Sequence, residues 1–225
     1  MKAGQRGSLA LTALAGLAIL GAGYAALVAA PTERVMGPLQ RIFYSHVPAA
    51  AAAFLGFGVT FGASIAYLAT ARREWDVLAA SAAEIGELFA TLVILTGMLW
   101  ARAAWNTWWT WDPRLTTTLV LWLIYAAYLI LRASVEDGVR RARYAAVVGI
   151  VGFIDVPVVF MAIRWWRTIH PAVLRSTGVA LEAPVLRALA VSLGAFMVVF
   201  VVLLVARVRL HALGDEVEYL RRGVG

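Results

Sequence analysis

Long apolar stretches alternate with short polar connections along the chain, and six of them are long enough to cross a membrane. They are Leu9–Val28, Pro48–Thr70, Val77–Trp100, Leu115–Leu131, Tyr144–Ile163 and Val185–Ala206. About 20 helical residues cross roughly 30 Å of hydrocarbon. No strand-like alternation is present, and a helix satisfies its backbone hydrogen bonds internally. The pattern predicts an all-α, polytopic membrane protein in which residues 1–225 form a single domain of six transmembrane helices.

Composition strengthens this reading and removes whole classes of function. Hydrophobic residues make up 62% of the 225 residues and charged residues 15%, whereas soluble domains are nearer half apolar and a quarter charged. There are no cysteines, which excludes disulfides, thiolate nucleophiles and Cys-ligated metals. The first apolar stretch follows Lys2 and Arg6 like a signal peptide, but it exceeds the usual apolar core of one. We therefore interpret it as a membrane span.

The basic residues predict the orientation in the membrane. The formal net charge is +7, which in a soluble protein with many aromatics would suggest a nucleic-acid partner. Here the cations lie between apolar stretches, so membrane topology and anionic lipid headgroups explain them and no nucleic-acid partner is expected. Six spans put twelve basic residues on the side of the termini and eight on the other. The positive-inside rule then predicts cytoplasmic termini. The eight outer arginines are Arg34, Arg41, Arg102, Arg114, Arg164, Arg167, Arg175 and Arg187.

Two of the three histidines are predicted to lie on the outer side. His46 comes just before the second predicted span, and His170 lies between the fifth and sixth. Pro48 is a plausible first-turn proline of the second span, and Pro171 restricts the backbone of His170. A single histidine at a membrane interface is more often a hydrogen-bonding surface group than a ligand. Two on one face, with His211 on the other, suggest a shared role.

A pair of histidines without acidic partners suits haem iron better than zinc. Zinc sites use three or four protein ligands, whereas haem iron needs only two axial ligands from the protein. A haem also needs flat aromatic contacts and cations for its propionates. Aromatic side chains are available from Trp105, Trp108, Trp109, Trp111, Trp165 and Trp166. The arginines able to bind carboxylates as bidentate forks are Arg102, Arg114, Arg164 and Arg167.

The tryptophans could instead form an ordinary aromatic belt at the membrane surface. A belt would be shared between both faces, but seven of the nine tryptophans lie on or beside the outer face. Four fall within the seven positions from Trp105 to Trp111, which is denser than a belt requires. We therefore favour a binding surface. Asp112, before Pro113, also has the pattern of a helix N-cap, and Arg114 could be interfacial snorkelling. Capping and binding are compatible.

These residues resemble the haem exporter protein C family of cytochrome c maturation. The stretch Trp105–Thr117 is similar to its tryptophan-rich signature, W-G-T-W-W-x-W-D-x-R-L-T, with Asn106 in place of the glycine. The stretches Tyr44–Ala50 and Trp165–His170 are also similar to that family. So are the six spans and the length, and the resemblance covers essentially the whole chain. Since glycine reaches positive φ most easily, Asn106 could alter the loop conformation.

The resemblance implies a role without enzymatic catalysis, in the bacterial cytoplasmic (inner) membrane. It implies haem b bound at the extracytoplasmic face, with His46 and His170 as axial ligands. The loop residues Trp105, Trp108, Trp109, Trp111 and Asp112 would support the macrocycle. It further implies delivery of haem to the periplasmic chaperone CcmE, and association with the ABC transporter subunits CcmA and CcmB and the small subunit CcmD. The resemblance does not imply contacts between individual arginines and propionates, and we predict those from charge alone.

Three alternatives remain at this point. A membrane cytochrome b-type electron-transfer subunit usually buries paired histidines inside facing helices, whereas these histidines are predicted to precede spans. A cytochrome c synthetase component is typically longer, with more spans and more histidines. A solute transporter could use the intramembrane acids Glu84, Glu87 and Asp155 as a polar path, but it leaves the tryptophan cluster unexplained. Glu84 and Glu87 could also pair with an arginine, and Asp155 could satisfy backbone groups loosened by Pro157.

Overall fold

The computed structural model describes residues 3–32, 36–171, 174–175, 178–179 and 181–223, and nearly all of them are helical. The α-helices are α1 (Ala3–Tyr24), α2 (Phe43–Thr70), α3 (Arg73–Trp105), α4 (Pro113–Ser134), α5 (Gly138–Phe153), α6 (Asp155–Trp165) and α7 (Ala183–Gly223). A π-helical turn, Ala25–Ala29, extends α1, and a 3-10 helix, Pro38–Ile42, leads into α2. Two antiparallel two-residue strands, Leu174–Arg175 and Gly178–Val179, pair before α7.

The six predicted membrane spans are confirmed within the described residues. Six helical stretches are long and apolar enough to cross a membrane. The fifth comprises α5 and α6, which are separated at Ile154. Asp155 follows this break, but its Oδ2 has no hydrogen-bond partner among the described residues. The expectation that Asp155 satisfies loosened backbone groups is therefore not met by that oxygen. The cytoplasmic location of the termini stays a prediction, and Arg34 lies outside the described residues.

The second span begins earlier than the sequence analysis predicted. The α-helix starts at Phe43, so His46 lies in its first turns and Pro48 lies inside the helix. The expectations that His46 precedes the span and that Pro48 occupies its first turn are therefore wrong. The physical reason is that a proline inside a membrane helix is tolerated when neighbouring helices pack around the freed backbone groups. Pro48 is fully buried in this way.

Helices α2 and α3 form the central pair, and small residues allow their backbones to approach closely. A Cβ added to Gly56 would lie 2.7 Å from the Cα of Gly86, and one added to Gly86 would lie 2.9 Å from the Phe57 ring. Packing through small residues is typical of membrane helices. Phe57 also stacks on Tyr125 of α4, with ring centroids 3.8 Å apart. The close packing of α2 and α3 fixes the positions of the helices that carry the site residues.

The two ends of the bundle differ in character. We call the end that carries His46, His170 and the Trp105–Trp111 segment the histidine end, and the opposite end the far end. At the far end Asp76 of α3 accepts hydrogen bonds from Arg132 of α4 at 2.6 and 3.2 Å. Glu84 forms an ion pair with Arg207 of α7, so an arginine partner, one of the possibilities that the sequence left open, is present for this acid. Glu87 is buried, and its oxygens have no partner among the described residues.

Candidate haem-binding site

The two predicted ligand histidines lie side by side at the histidine end. The imidazole centroids of His46 and His170 are 6.4 Å apart, and the ring planes are inclined by 35°. His46 belongs to α2, whereas His170 belongs to the segment that follows α6. These rings are 124 positions apart in sequence and meet only because α2 and the end of α6 reach the same end of the bundle.

Each histidine uses its Nδ1 in a contact with the protein. His46 Nδ1 lies 2.9 Å from the Thr96 hydroxyl of α3, and His170 Nδ1 lies 3.0 Å from the carbonyl oxygen of Pro171. A carbonyl only accepts, so His170 Nδ1 must donate in that contact. When Nδ1 carries the proton, Nε2 carries the lone pair that binds a metal. The surroundings of His170 therefore favour the tautomer that a ligand requires.

Asp112 ties the segment carrying His170 to the start of α4. One carboxylate oxygen, Oδ1, accepts from the backbone N–H of Arg114 at 2.9 Å and from the Thr168 hydroxyl at 2.8 Å. The other, Oδ2, accepts from the backbone N–H of Ile169 at 2.9 Å. The first bond confirms the predicted N-cap of α4. The other two hold the residues immediately before His170, so one carboxylate fixes both the tryptophan segment and the histidine segment.

Arg114 lies close to both histidine segments and is largely buried. It donates to the carbonyl oxygen of Val159 at 3.1 Å, and its guanidinium lies 5.8 Å from the Phe160 ring centroid. Burial, and secondly the positive charge of Arg114, lower the pKa of His170 to about 4. His170 is therefore neutral at pH 7, which is the form that binds a metal. The Arg114 side chain is held between helices rather than snorkelling outward.

The tryptophans fall into separate groups on this end. Trp105 meets Trp100 edge to face at 4.9 Å, Trp109 meets Trp111 at 6.0 Å, and Trp165 meets Trp166 at 5.8 Å. Among the described residues no ring contact joins these three pairs. The most exposed indoles are Trp108, Trp111, Trp165 and Trp166, at 51, 76, 57 and 48%. Large exposed aromatic area beside the histidines is available for contact with a flat ligand or a partner.

No arginine of the histidine end forms an ion pair with a carboxylate in the part of the chain that the structure describes, although the charge of Asp112 acts on Arg114. Every ion pair recorded there involves Asp76, Glu74 or Glu84 at the far end. Arg102, Arg164 and Arg167 are exposed. Arg102 donates to the carbonyl oxygen of Asn106 at 2.9 Å, and the other two are on the last turn of α6 and just beyond it. Cationic groups without chain carboxylates suit an anionic ligand.

Asn106 accommodates the conformation for which the family signature uses glycine. It ends α3 with φ of 56° and ψ of 24°, in the left-handed region. Asparagine is among the few side chains that tolerate this region. The Asn106 side-chain oxygen also accepts a hydrogen bond from Arg102. The replacement is therefore compatible with a sharp turn from α3 into the tryptophan segment.

The donor set and the ring separation fit haem iron. Two imidazoles bound on opposite sides of one metal at about 2 Å per bond have centroids roughly 6 Å apart, and the observed separation is 6.4 Å. Among the described residues no group of three or more His, Cys, Asp or Glu side chains could hold a metal ion. Two imidazoles are the donor set that haem iron takes from a protein when the porphyrin supplies the other four ligands.

The family model for heme exporter protein C matches residues 2–222. The chain belongs to the heme exporter protein C family. It is 39% identical over 194 residues to heme exporter protein C of Bradyrhizobium diazoefficiens, covering 85% of this chain and 74% of that protein. It is 28% identical over 205 residues to the Haemophilus influenzae protein of the same name, covering 90% and 83%. A cytochrome c biosynthesis ccmC-like mitochondrial protein of Arabidopsis thaliana is 29% identical over 189 residues, covering 83% and 71%.

Three residues that support the histidines in this family member could not be recognised from sequence patterns. Thr96, Gly97 and Thr168 contact or support the histidines, but the first two lie within an apolar helix and the third in a short connection. A Cβ added to Gly97 would lie 3.3 Å from Cε1 of His46. Such supporting residues are defined by tertiary contacts. Only knowledge of the helix pairing could have identified them.

Proposed function

We propose that this chain binds haem b between His46 and His170 and delivers it for cytochrome c maturation. The observation that carries the proposal is the pair of neighbouring imidazoles, with centroids 6.4 Å apart and each Nδ1 in contact with the protein. Membership of the heme exporter protein C family supports it. Haem would supply the iron and the four porphyrin nitrogens, and His46 and His170 would hold the iron while the chain offers aromatic surface and cations. The role is haem handling as a single domain, without catalysis.

The chain's residues divide this work. His46 presents its ring from a rigid helix, and His170 presents its ring from a segment held by Asp112. The exposed indoles offer apolar area to the macrocycle. The arginines that form no ion pair with a chain carboxylate offer donors to propionates. The arginines are Arg102, Arg114, Arg164 and Arg167. The indoles are the exposed Trp108, Trp111, Trp165 and Trp166, together with the half-buried Trp105 and Trp109.

The histidine end faces the periplasm in this proposal, and haem passes from it to the chaperone CcmE. CcmA, CcmB and CcmD are the proposed partners in the bacterial cytoplasmic membrane. Exposure of Trp108, Trp111 and Trp165 supports transfer at this end, because a chaperone needs access to the ligand edge. The complete absence of cysteine makes the orientation testable. Cysteines introduced one at a time at Thr107 and Glu136 should react with a membrane-impermeant maleimide from opposite sides.

Absorption spectroscopy of the purified full chain tests the ligand assignment. The wild type reconstituted with haem should give a low-spin, bis-histidine spectrum. His46→Ala and His170→Ala should each lose it, while His211→Ala should keep it because His211 lies at the far end beside Glu84. If both single variants retain the bis-histidine spectrum, the assignment is wrong. Transfer is measured as haem covalently attached to added CcmE, and co-purification with a tagged chain tests CcmA, CcmB and CcmD.

A further inference from the structure

The Thr96 hydroxyl is in direct contact with a proposed ligand but is not itself a ligand. Its oxygen lies 2.9 Å from His46 Nδ1. The same hydroxyl lies 2.7 Å from the carbonyl oxygen of Leu92 and 3.2 Å from that of Val93, one helical turn back on α3. A hydroxyl has one proton and two lone pairs. Its three neighbours therefore determine how that proton is used.

The carbonyl oxygens of Leu92 and Val93 can only accept hydrogen bonds. The Thr96 proton is donated to one of them, as is usual for threonine in a membrane helix. The hydroxyl then faces His46 with a lone pair, and His46 Nδ1 must be the donor. Consequently the proton of a neutral His46 ring is held on Nδ1, and Nε2 is left with the lone pair.

Gly97, the next residue on α3, leaves room for the same ring. A Cβ at this position would lie 3.3 Å from Cε1 and 3.9 Å from Nδ1 of His46. The first distance is tighter than an ordinary contact, so any larger residue would press the ring away. The His46 imidazole therefore packs against α3. Thr96 contacts it through a hydrogen bond, and Gly97 lets it approach because it has no side chain.

We propose that Thr96 is a positioning residue for haem, acting through His46 by fixing its tautomer and ring orientation. This inference rests on the proposed haem function. His170 obtains the same tautomer from the backbone carbonyl of Pro171, which no substitution of a side chain removes. The Val93 backbone also acts on the His46 ring, and Thr96 is the side-chain contact of His46 Nδ1 that a substitution can remove. Groups that orient a ligating histidine typically contribute 10–100-fold to metal affinity.

The first test is made on the haem-free full chain. Nitrogen-15 spectra of labelled histidine should show His46 of the wild type as the Nδ1–H tautomer, identified by its loss in His46→Ala. Thr96→Val, which keeps the shape but removes the acceptor, should populate both tautomers, and Thr96→Ser should restore one. The control is Thr118→Val, since the Thr118 hydroxyl donates to the Arg114 carbonyl in the same way but contacts no histidine.

The second test uses the haem-loaded chain. Thr96→Val should weaken haem binding about 10–100-fold and raise the midpoint potential, because an axial imidazole that donates no Nδ1–H bond is a poorer electron donor. Thr96→Ser should restore both, and Thr96→Ala covers the case in which the valine variant does not fold. A wild type without a bis-histidine spectrum would overturn the proposed function itself. A bis-histidine wild type whose tautomer, affinity and potential are unchanged in Thr96→Val or Thr96→Ala would overturn this inference alone.

Discussion

Asp76 and Asp112 lie at opposite ends of the bundle, are both buried, and bind different kinds of donor. Asp76, 2% exposed, accepts from the guanidinium groups of Arg73 and Arg132. Asp112, 9% exposed, accepts from two backbone N–H groups and the Thr168 hydroxyl. Asp76 is therefore neutralised by arginines of the chain. At the histidine end Asp112 instead positions two segments, and the exposed Arg102, Arg164 and Arg167 form no ion pair among the described residues.

This difference teaches how one small bundle can be both stable and able to bind. The Asp76 ion pairs connect α3 and α4, so they fix the helices that carry the site without entering it. Exposed arginines that form no ion pair within the chain can bind an anion from outside it. In the histidine end this favours an anionic ligand such as a haem propionate. In this view the far end contributes ion pairs that stabilise the bundle, and the histidine end provides the proposed binding site.

The largest expected effect comes from removing the charge of Asp76. Asp76→Asn leaves Arg132, whose side chain is 13% exposed, without its charged partner. Breaking such a buried pair should lower the free energy of unfolding by about 3 kcal/mol. Unfolding titrations in mixed micelles measure this, with Glu74→Gln as the control because its ion pair is exposed on both sides. Haem affinity of the folded variant should stay within about twofold, and a larger loss would contradict the separation of the two ends.

The next effect is on haem binding and comes from Asp112. Asp112→Asn keeps an acceptor for the N-cap but turns an NH₂ group toward the N–H of Ile169, and Asp112→Ala removes all three bonds. We expect haem affinity to fall by about 10–100-fold in both, measured by haem titration of the full chain. Asp137→Asn is the matched control, because Asp137 caps α5 by accepting from the Arg140 backbone at the far end. Equal losses in Asp112→Asn and Asp137→Asn would indicate a general effect on the fold.

The smallest expected effect is that of mild acid. Burial lowers the pKa of His170 to about 4, below the value of about 6.5 for an exposed histidine. The folded chain therefore keeps His170 neutral at pH 5, and haem titrations at pH 7 and 5 should show little proton competition at this ligand. An exposed imidazole would lose about 30-fold over the same range, as a parallel titration of haem with free imidazole should show. A comparable loss in the protein would contradict a His170 that stays neutral at pH 5.

The lowered pKa of His170 makes the folded chain less stable as the pH falls, whereas a histidine with a raised pKa would make it more stable. With a folded pKa of about 4, the unfolded chain binds more protons at His170 between pH 6.5 and 4. The contribution of His170 to stability is therefore complete above pH 6.5 and is lost as the pH falls through this range. Acid therefore lowers the free energy of unfolding in this range while His170 of the folded chain stays neutral.

Much of the fold was predictable, because membrane spans depend on local composition. All six spans and the cap at Asp112 follow from apolar length and from the Asp-Pro sequence. The start of α2 was not predictable, since Pro48 has the same local pattern whether it begins a helix or is buried within one. Of the site, the two histidines were recognisable by type and position. The contacts of Asp112 with Thr168 and Ile169 span 56 and 57 positions, so no local pattern reports them.

The left-handed turn at Asn106 has a consequence for how the site is specified during folding. A glycine there would adopt the turn without steric cost but would carry more backbone entropy in the unfolded chain. Asparagine narrows that freedom, and its bonds with Arg102 join residues only four positions apart. The direction in which the tryptophan segment leaves α3 is therefore encoded within one helical turn. Contacts of such short sequence separation cost little loop entropy, so this corner of the site does not depend on the long-range closure that brings His170 to His46.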